Sequence, residues 1–212
     1  VNISSNFTVP STVLSTFDMF RYNYSLKEIP NTFRFPNGIL NIAGTFFGCH
    51  TITKLPSSLS IPSTVKFANC VVTECKKIEY LPNGFILPNT LDVNDYGREF
   101  FWQCESLKSL PNGFFLPEQY TDIENMFMEC YALKSLPSSF VIHDKVENMN
   151  AAFCECPSLS GVIKIDSNTT QYTSMFLIVN NYDSIGSITL AGSSSNLQAI
   201  ANGATGGRAT VQ

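Results

Sequence analysis

Apolar residues recur along most of this chain in a fixed order. In residues 126–140, Phe127, Cys130, Leu133, Leu136 and Phe140 follow one another at steps of three or four residues. The same order recurs around other positions, which we call the anchors and use to number six repeats. The anchors are Asn23, Cys49, Cys75, Cys104, Cys130 and Cys156. Self-similarity at a fixed period indicates a repeat architecture more directly than any other sequence signal.

The positions around the anchors form columns of like residues. Successive anchors are 26, 26, 29, 26 and 26 residues apart. Phenylalanine or valine lies three residues before an anchor, and leucine or isoleucine lies three residues after it. Another aliphatic residue, usually followed by proline, comes six residues after the anchor. We attribute the three extra residues of the long step to a turn within residues 91–99, where Asn, Asp and Gly cluster.

Each repeat is predicted to contain a short helical turn, a short strand and a polar turn. Ile123, Phe127 and Cys130 have the spacing of one helix face. The apolar run that follows ends at a proline, where a ladder of stacked strands must end or bulge. Pairs such as Asn112–Gly113 then favour a turn. One such unit cannot bury its apolar face alone, so we expect the repeats to stack and the columns to run through a shared core.

The pattern Phe-x-x-Cys-x-x-Leu-x-x-Leu-Pro-x-x-Phe resembles the BspA-type leucine-rich repeat, and it is similar to the Met-Phe-x-x-Cys repeat of bacterial surface proteins. The resemblance covers about residues 5–165. It implies an α/β repeat fold, a right-handed leucine-rich-repeat solenoid with one short strand and one short helical turn per ~26-residue repeat. It also implies adhesion or ligand binding at a cell surface or in the extracellular space. We expect similar repeats in phage tail or capsid accessory proteins.

The chain divides into three predicted parts. Residues 1–165 form the repeat array, which starts in the middle of a repeat because Phe7 lies one period before Phe33. We therefore expect a capping half-repeat or further protein upstream. Residues 166–190 are a degenerate last repeat without the Leu-Pro pair. Residues 191–212 are a C-terminal cap or, alternatively, a flexible linker. In the strand–helix cap that we expect, residues 187–192 form the strand, and the helix stops at Gly203.

Composition and charge exclude several classes of protein. Apolar residues make up 44% of the chain and charged residues 14%, which is unlike a disordered segment. The net charge of −4 gives no general attraction to nucleic acid or to anionic membranes. No run of 18 apolar residues predicts a membrane span. We therefore expect no nucleic-acid partner and no membrane insertion.

Five of the seven cysteines are anchors, and this allows three interpretations. Reduced thiols could pack in the core as small apolar groups. Disulfides between neighbouring repeats are compatible with Cα separations near 5 Å. A zinc site needs four ligands in closely spaced pairs, and only Cys154/Cys156 and Cys70/Cys75 are close in sequence. We favour reduced core thiols and expect no metal and no cofactor.

No group of residues in the sequence predicts catalysis. The chain has two histidines, His50 and His143, and no phosphate-binding loop or nucleophile elbow. The neighbouring pair His143–Asp144 is more typical of a solvated turn than of a catalytic triad. We therefore expect the protein not to be an enzyme.

The predicted binding surface lies on the strands. Positions four and five after each anchor should point outward between two core residues. The candidate residues on this surface, which we call the strand-face strip, are Lys27, Lys54, Glu79, Tyr80, Lys108 and Lys134. A repeat array makes such positions an extended platform. We expect the strip to bind a protein or glycan partner at a cell surface; a merely solubilising face is the alternative.

A second class of function fits the same repeats. The chain could be a structural virion component, such as a phage tail or capsid accessory protein that acts as a rigid spacer or receptor-binding element. The residues alone do not separate this alternative from the adhesin, and both allow the chain to be part of a larger chain or assembly. Neighbouring sequence would distinguish the two, since a signal peptide with a wall anchor belongs to an adhesin and a fibre segment to a virion.

Overall fold

Successive repeats pair in parallel along the chain. The computed structural model describes residues 3–92 and 96–212, so part of the segment 91–99, to which we assign the three extra residues, lies outside the described residues. Ser15 bridges Asn41, and Asn41 bridges Phe67. On the strand side, Tyr80 bridges Ser109, and Ser109 bridges Ser135. The residue offsets of these bridges equal the anchor steps, so the repeat register of the sequence is the hydrogen-bonding register of the structure.

The later part of the chain forms a small parallel sheet and contains little helix. Its strands are β1 (Val141–Ile142), β2 (Gly161–Ile165), β3 (Ile188–Ala191) and β4 (Ala209–Val211), in the order β1-β2-β3-β4. The helix α1 (Leu197–Asn202) and a 3₁₀ turn (Thr205–Gly207) lie between β3 and β4. The bounds of β3 and α1 agree with the strand and helix predicted from the sequence. Strand β4 was not predicted.

The segment before each anchor is a run of β-turns and not the helical turn that the spacing predicts. In residues 123–130, the N–H groups of Met126, Met128 and Cys130 each donate to the carbonyl three residues earlier. The N–H of Phe127, between them, donates to the carbonyl of Ala152 in the next repeat. Alternate amides therefore bond within the repeat and between repeats, and an α-helix would use all of them internally. We call these segments the turn runs.

Left-handed backbone at two fixed positions explains why the turn runs do not become helices. In the fifth repeat, Asn125 and Glu129, five residues and one residue before the anchor, have φ of 56° and 61°. The same positions have positive φ in the other repeats: Asp18, Tyr22, Gly44, Gly48, Cys70, Glu74, Glu99, Gln103, Ala151 and Glu155. A left-handed residue interrupts a right-handed helix. Turns with a period near three place apolar residues on one side as a helix does, so apolar spacing could not tell them apart.

The hydrogen bonds between repeats run in opposite directions on the two sides of the array. On the turn side, a repeat donates to the one that follows it, as from Phe127 to Ala152. On the strand side of the third to fifth repeats, a repeat donates to the one that precedes it, whereas the Gly161 N–H of the sixth repeat donates forward to the Ser187 carbonyl. The Lys134 N–H donates to the Lys108 carbonyl, and the Lys108 N–H donates to the Glu79 carbonyl.

Columns of stacked phenylalanine form much of the core. Phe127 lies between Phe101 and Phe153, with ring centroids 5.0 and 5.2 Å apart and interplanar angles of 12° and 5°. Phe153 stacks in turn on Phe176 at 5.5 Å. This contact places residue 179 at the anchor position of the degenerate repeat, where the sequence also places Val179. The Val179 side chain is nevertheless 72% exposed, unlike the buried cysteine anchors.

The anchor cysteines are buried free thiols, each held by a hydrogen bond. The Cys130 S–H donates to the Phe101 carbonyl of the preceding repeat at 3.1 Å. Cys49, Cys75, Cys104 and Cys156 make the equivalent bond at 3.0, 3.1, 3.1 and 2.9 Å. Burial raises the pKa of the Cys104 and Cys156 thiols to about 12. The thiolate is the reactive form, so these groups serve packing rather than chemistry.

Residues 191–212 fold onto the array. Ile200 and Ala201 of α1 are buried. The buried Arg208 guanidinium donates to the carbonyls of Cys156 and Leu159, at 3.1 and 2.9 Å. Two hydrogen bonds thus tie the start of β4 to the sixth repeat across the intervening strand β3.

Candidate functional site

The strand-face strip is built on backbone that the core holds in place. Around Lys108 and Ser109, the flanking Leu107 and Leu110 are buried, with 0% and 6% of their surface exposed. The half-buried Lys108 and Ser109 therefore lie between two core residues, as the sequence predicts for positions four and five after an anchor.

Three of the six predicted site residues form one cluster. The Lys108 Nζ lies 2.5 Å from the Glu79 Oε2. The same Nζ lies 5.5 Å from the centroid of the Tyr80 ring, within the range of a cation–π contact. The Tyr80 side chain stays 55% exposed. The hydrogen bond that the Lys108 ammonium donates to the Glu79 carboxylate raises the pKa of Lys108, so this side chain is charged at neutral pH. We call this group the Tyr80 cluster.

The other three predicted residues do not join the Tyr80 cluster. Lys27, Lys54 and Lys134 are exposed. Within residues 3–92 and 96–212, no ion pair links any of these three lysines to a carboxylate. The strip is therefore one fixed cluster flanked by separate lysines, and not a continuous ion-pair network.

A groove of 270 Å³ adjoins the Tyr80 cluster. It lies between the third and fourth repeats, where the anchor step is 29 residues. Its lining residues are Tyr80, Leu81, Asn83, Ser109, Leu110, Pro111 and Asn112. We call this concavity the Tyr80 groove. It combines an exposed ring, two amides and a hydroxyl over buried leucine and proline, and this suits ligand binding better than proton transfer.

Sequence reasoning missed the amide side of this groove. Asn83 and Asn112 occupy one column, eight residues after their anchors, and each precedes a glycine. The sequence interpretation assigned both Asn-Gly pairs to turns alone. The signal that could have found them is their recurrence in two neighbouring repeats, three residues after the position of the exposed tyrosine.

The two histidines have structural contacts. The His50 Nε2 lies 3.1 Å from the Glu74 Oε2, and the His143 Nε2 lies 3.1 Å from the Pro117 carbonyl oxygen. Neither contact joins a histidine to a serine or cysteine side chain, as a nucleophilic site requires. In the described part of the chain, no group of three or more His, Cys, Asp or Glu side chains is placed to hold a metal ion. None of the helices found there is long and apolar enough to cross a membrane.

Comparisons with known proteins add one weak similarity. No family model matches the chain, and no curated protein matches it. Among solved structures, the chain is similar to a leucine-rich repeat protein from Bacteroides ovatus, with 16% identity and a TM-score of 0.31, over 97% of this chain and 76% of that one. At this TM-score the similarity does not decide the fold, which rests on the hydrogen-bonded repeats described above.

Proposed function

We propose that this chain is a right-handed solenoid of the BspA-type leucine-rich repeat class whose strand face binds a protein or glycan at a cell surface or in the extracellular space. The chain acts as a binding module without catalysis. The observation that carries the proposal is the Tyr80 cluster beside the Tyr80 groove, the place on the predicted strip where an exposed ring, an ion pair and a concavity meet.

The repeat geometry supports a binding role. Each strand-side position recurs in the next repeat, so neighbouring repeats place their outward side chains in rows on one surface. Tyr80 has 55% of its surface exposed and is oriented by Lys108, and tyrosine is enriched among the residues that contribute most to binding. A rigid backbone under an exposed ring reduces the conformational entropy lost on binding.

The test is binding of the purified protein to an array of glycans and extracellular-matrix proteins. A Lys27/Lys54/Lys108/Lys134→Ser variant removes the positive charge of the strip. A Lys66/Lys77/Lys145/Lys164→Ser variant removes the same charge from four other exposed lysines and is the matched control.

We expect a hit that the strip variant loses and the control variant retains. Equal loss in both variants would mean that general charge, and not the strip, carries the binding. No binding by the unmodified protein to any glycan or matrix protein would contradict the proposed function.

A further inference from the structure

The Tyr80 groove has an apolar floor and a polar rim. Leu81 and Leu110 on the floor are 7% and 6% exposed, and Pro111 between the strand and the turn is buried. The rim carries the exposed Tyr80 ring and the half-buried Ser109. A ligand seated here meets carbon surface below and hydrogen-bonding groups at its edge.

Two amides lie one above the other on this rim. Asn83 and Asn112 are exposed and occupy the same column of neighbouring repeats. Neighbouring strands lie about 4.8 Å apart, so the two side chains can reach adjacent groups of one small ligand. Each amide offers donors on its nitrogen and an acceptor on its oxygen. Partners that both donate and accept, as hydroxyl groups do, match such a pair.

The charges at the groove balance. Glu79 and Lys108 pair with each other, and none of the residues that line the groove is an acid or a base of the Asp, Glu, Lys, Arg or His type. A charged ligand could gain an ion pair here only by displacing Glu79 or Lys108 from its present partner. The groove therefore favours a ligand without net charge.

We propose that the Tyr80 groove binds a neutral pyranose unit of a glycan; this rests on the proposed function and names the ligand class of the same surface. A pyranose has an apolar C–H face, which would lie on the Tyr80 ring, and hydroxyls at its edge, which would bond the amides of Asn83 and Asn112. An apolar peptide side chain seated on the same floor would leave the two amides without partners, at an energetic cost.

The experiment is saturation-transfer NMR with the α and β methyl glycosides of glucose, galactose, mannose and N-acetylglucosamine, followed by titration of any glycoside that binds. Two variants remove the site, Tyr80→Ala and the double variant Asn83→Ala/Asn112→Ala. Tyr80→Phe keeps the ring. Two controls are matched by column, Glu28→Ala at the Tyr80 position and Asn31→Ala at the Asn83 position, both exposed.

We expect at least one glycoside to bind, with the strongest transfer at its ring C–H protons. Tyr80→Ala and the double amide variant should weaken the affinity for this glycoside at least about tenfold. Tyr80→Phe and both column controls should change the affinity less than about twofold. Binding that survives Tyr80→Ala, or that the column controls lose equally, would overturn the inference.

Failure of this inference can be told apart from failure of the proposed function. Suppose that no glycoside binds, but that the unmodified protein binds a matrix protein on the array and the strip variant does not. The pyranose assignment is then wrong and the proposed function stands. If Tyr80→Ala abolishes binding of that protein, the groove belongs to a protein partner and the pyranose assignment is again wrong. If a glycoside binds at the groove but the strip variant binds the array as well as the unmodified protein does, the role of the lysines is contradicted and the pyranose site is retained.

Discussion

Phe127 is the residue at which the core is easiest to test. Its side chain is fully buried between the rings of Phe101 and Phe153. We predict that Phe127→Ala lowers the free energy of unfolding by about 3–5 kcal/mol, because both stacking contacts are lost and a cavity remains. Urea unfolding followed by circular dichroism measures this change.

The control for this change is Lys134→Ala on the strand face. Lys134 is exposed, so the substitution should alter the free energy of unfolding by less than about 0.5 kcal/mol. A larger effect of Lys134→Ala than of Phe127→Ala would show that the repeat register is wrong by at least one position.

At the scale of single residues, the sequence predicted which side chains are buried, but it did not predict their hydrogen bonds and contacts. Recurrence of cysteine at the anchors predicted buried thiols, because small apolar residues fill such columns. The hydrogen bond from the Cys130 S–H to the Phe101 carbonyl depends on how one repeat lies over the next, which spacing alone does not contain. Likewise, the exposure of Tyr80 followed from its column, but its contact with Lys108 depends on side-chain conformation.

The turn run is the element in which the structure departs most from the sequence prediction, and Ala151 tests its backbone. Ala151 has φ of 50°. An L-residue there costs roughly 1–2 kcal/mol, and glycine avoids this cost but loses more entropy on folding. We predict that Ala151→Gly raises the free energy of unfolding by roughly 0.5–1 kcal/mol. Urea unfolding of the two proteins at one temperature gives the difference.

The neighbouring residue supplies the control. Ala152 is fully buried and does not have positive φ. Ala152→Gly should therefore destabilise the protein by roughly 1–2 kcal/mol, through a lost methyl group and a more flexible unfolded chain. If both glycine substitutions change the free energy of unfolding in the same direction, the left-handed geometry of the turn run is contradicted.

Glu155 holds the segment after the last turn run. Its buried carboxylate accepts hydrogen bonds from the Val179 N–H, the Asn180 amide at 2.9 Å and the Tyr182 hydroxyl at 2.6 Å. Burial alone would raise the pKa of the Glu155 carboxyl, but these hydrogen bonds outweigh it, and the pKa lies below its ordinary value of 4.5. The ionised Glu155 carboxylate therefore stabilises the folded protein fully at pH values above the ordinary pKa. This stabilisation is lost as the pH falls through the lower pKa of the folded state.

We predict that Glu155→Gln lowers the free energy of unfolding by roughly 1–2 kcal/mol at neutral pH, because the replacement amide cannot accept all of these bonds. The difference from the unmodified protein should shrink in acid. Urea unfolding at about pH 7 and about pH 3 measures it. The exposed Glu147, changed to Gln, is the control and should have little effect. A Glu155→Gln effect that grows in acid would contradict the assignment.

Across the whole molecule, the sequence predicted the stacking of the repeats and their register, because both follow from one period. It did not predict strand β4, whose residues lack the repeat pattern and are held through Arg208 and the pairing with β3. It also did not predict the Tyr80 groove, which lies where one step departs from that period.

Nearest-neighbour stacking makes a further prediction about the array. In Phe127→Ala, hydrogen exchange should become faster at the amides of Phe101 and Phe153, which bond between repeats on either side. The amides of Ile42 and Phe46, further along the array, should change less. Hydrogen exchange with mass spectrometry under native conditions measures this profile. An equal increase in every repeat would show that the array unfolds as one cooperative unit.

The opposite directions of the hydrogen bonds on the two sides have a consequence for long-range electrostatics. In an α-helix all peptide dipoles point the same way and sum to partial charges at the ends. In the third to fifth repeats the turn side donates towards the following repeat and the strand side towards the preceding one, so the two rows of dipoles oppose each other. Repeats can therefore be added without building up a macrodipole. The backbone therefore adds little to the field around these repeats, and their charged side chains contribute most of it.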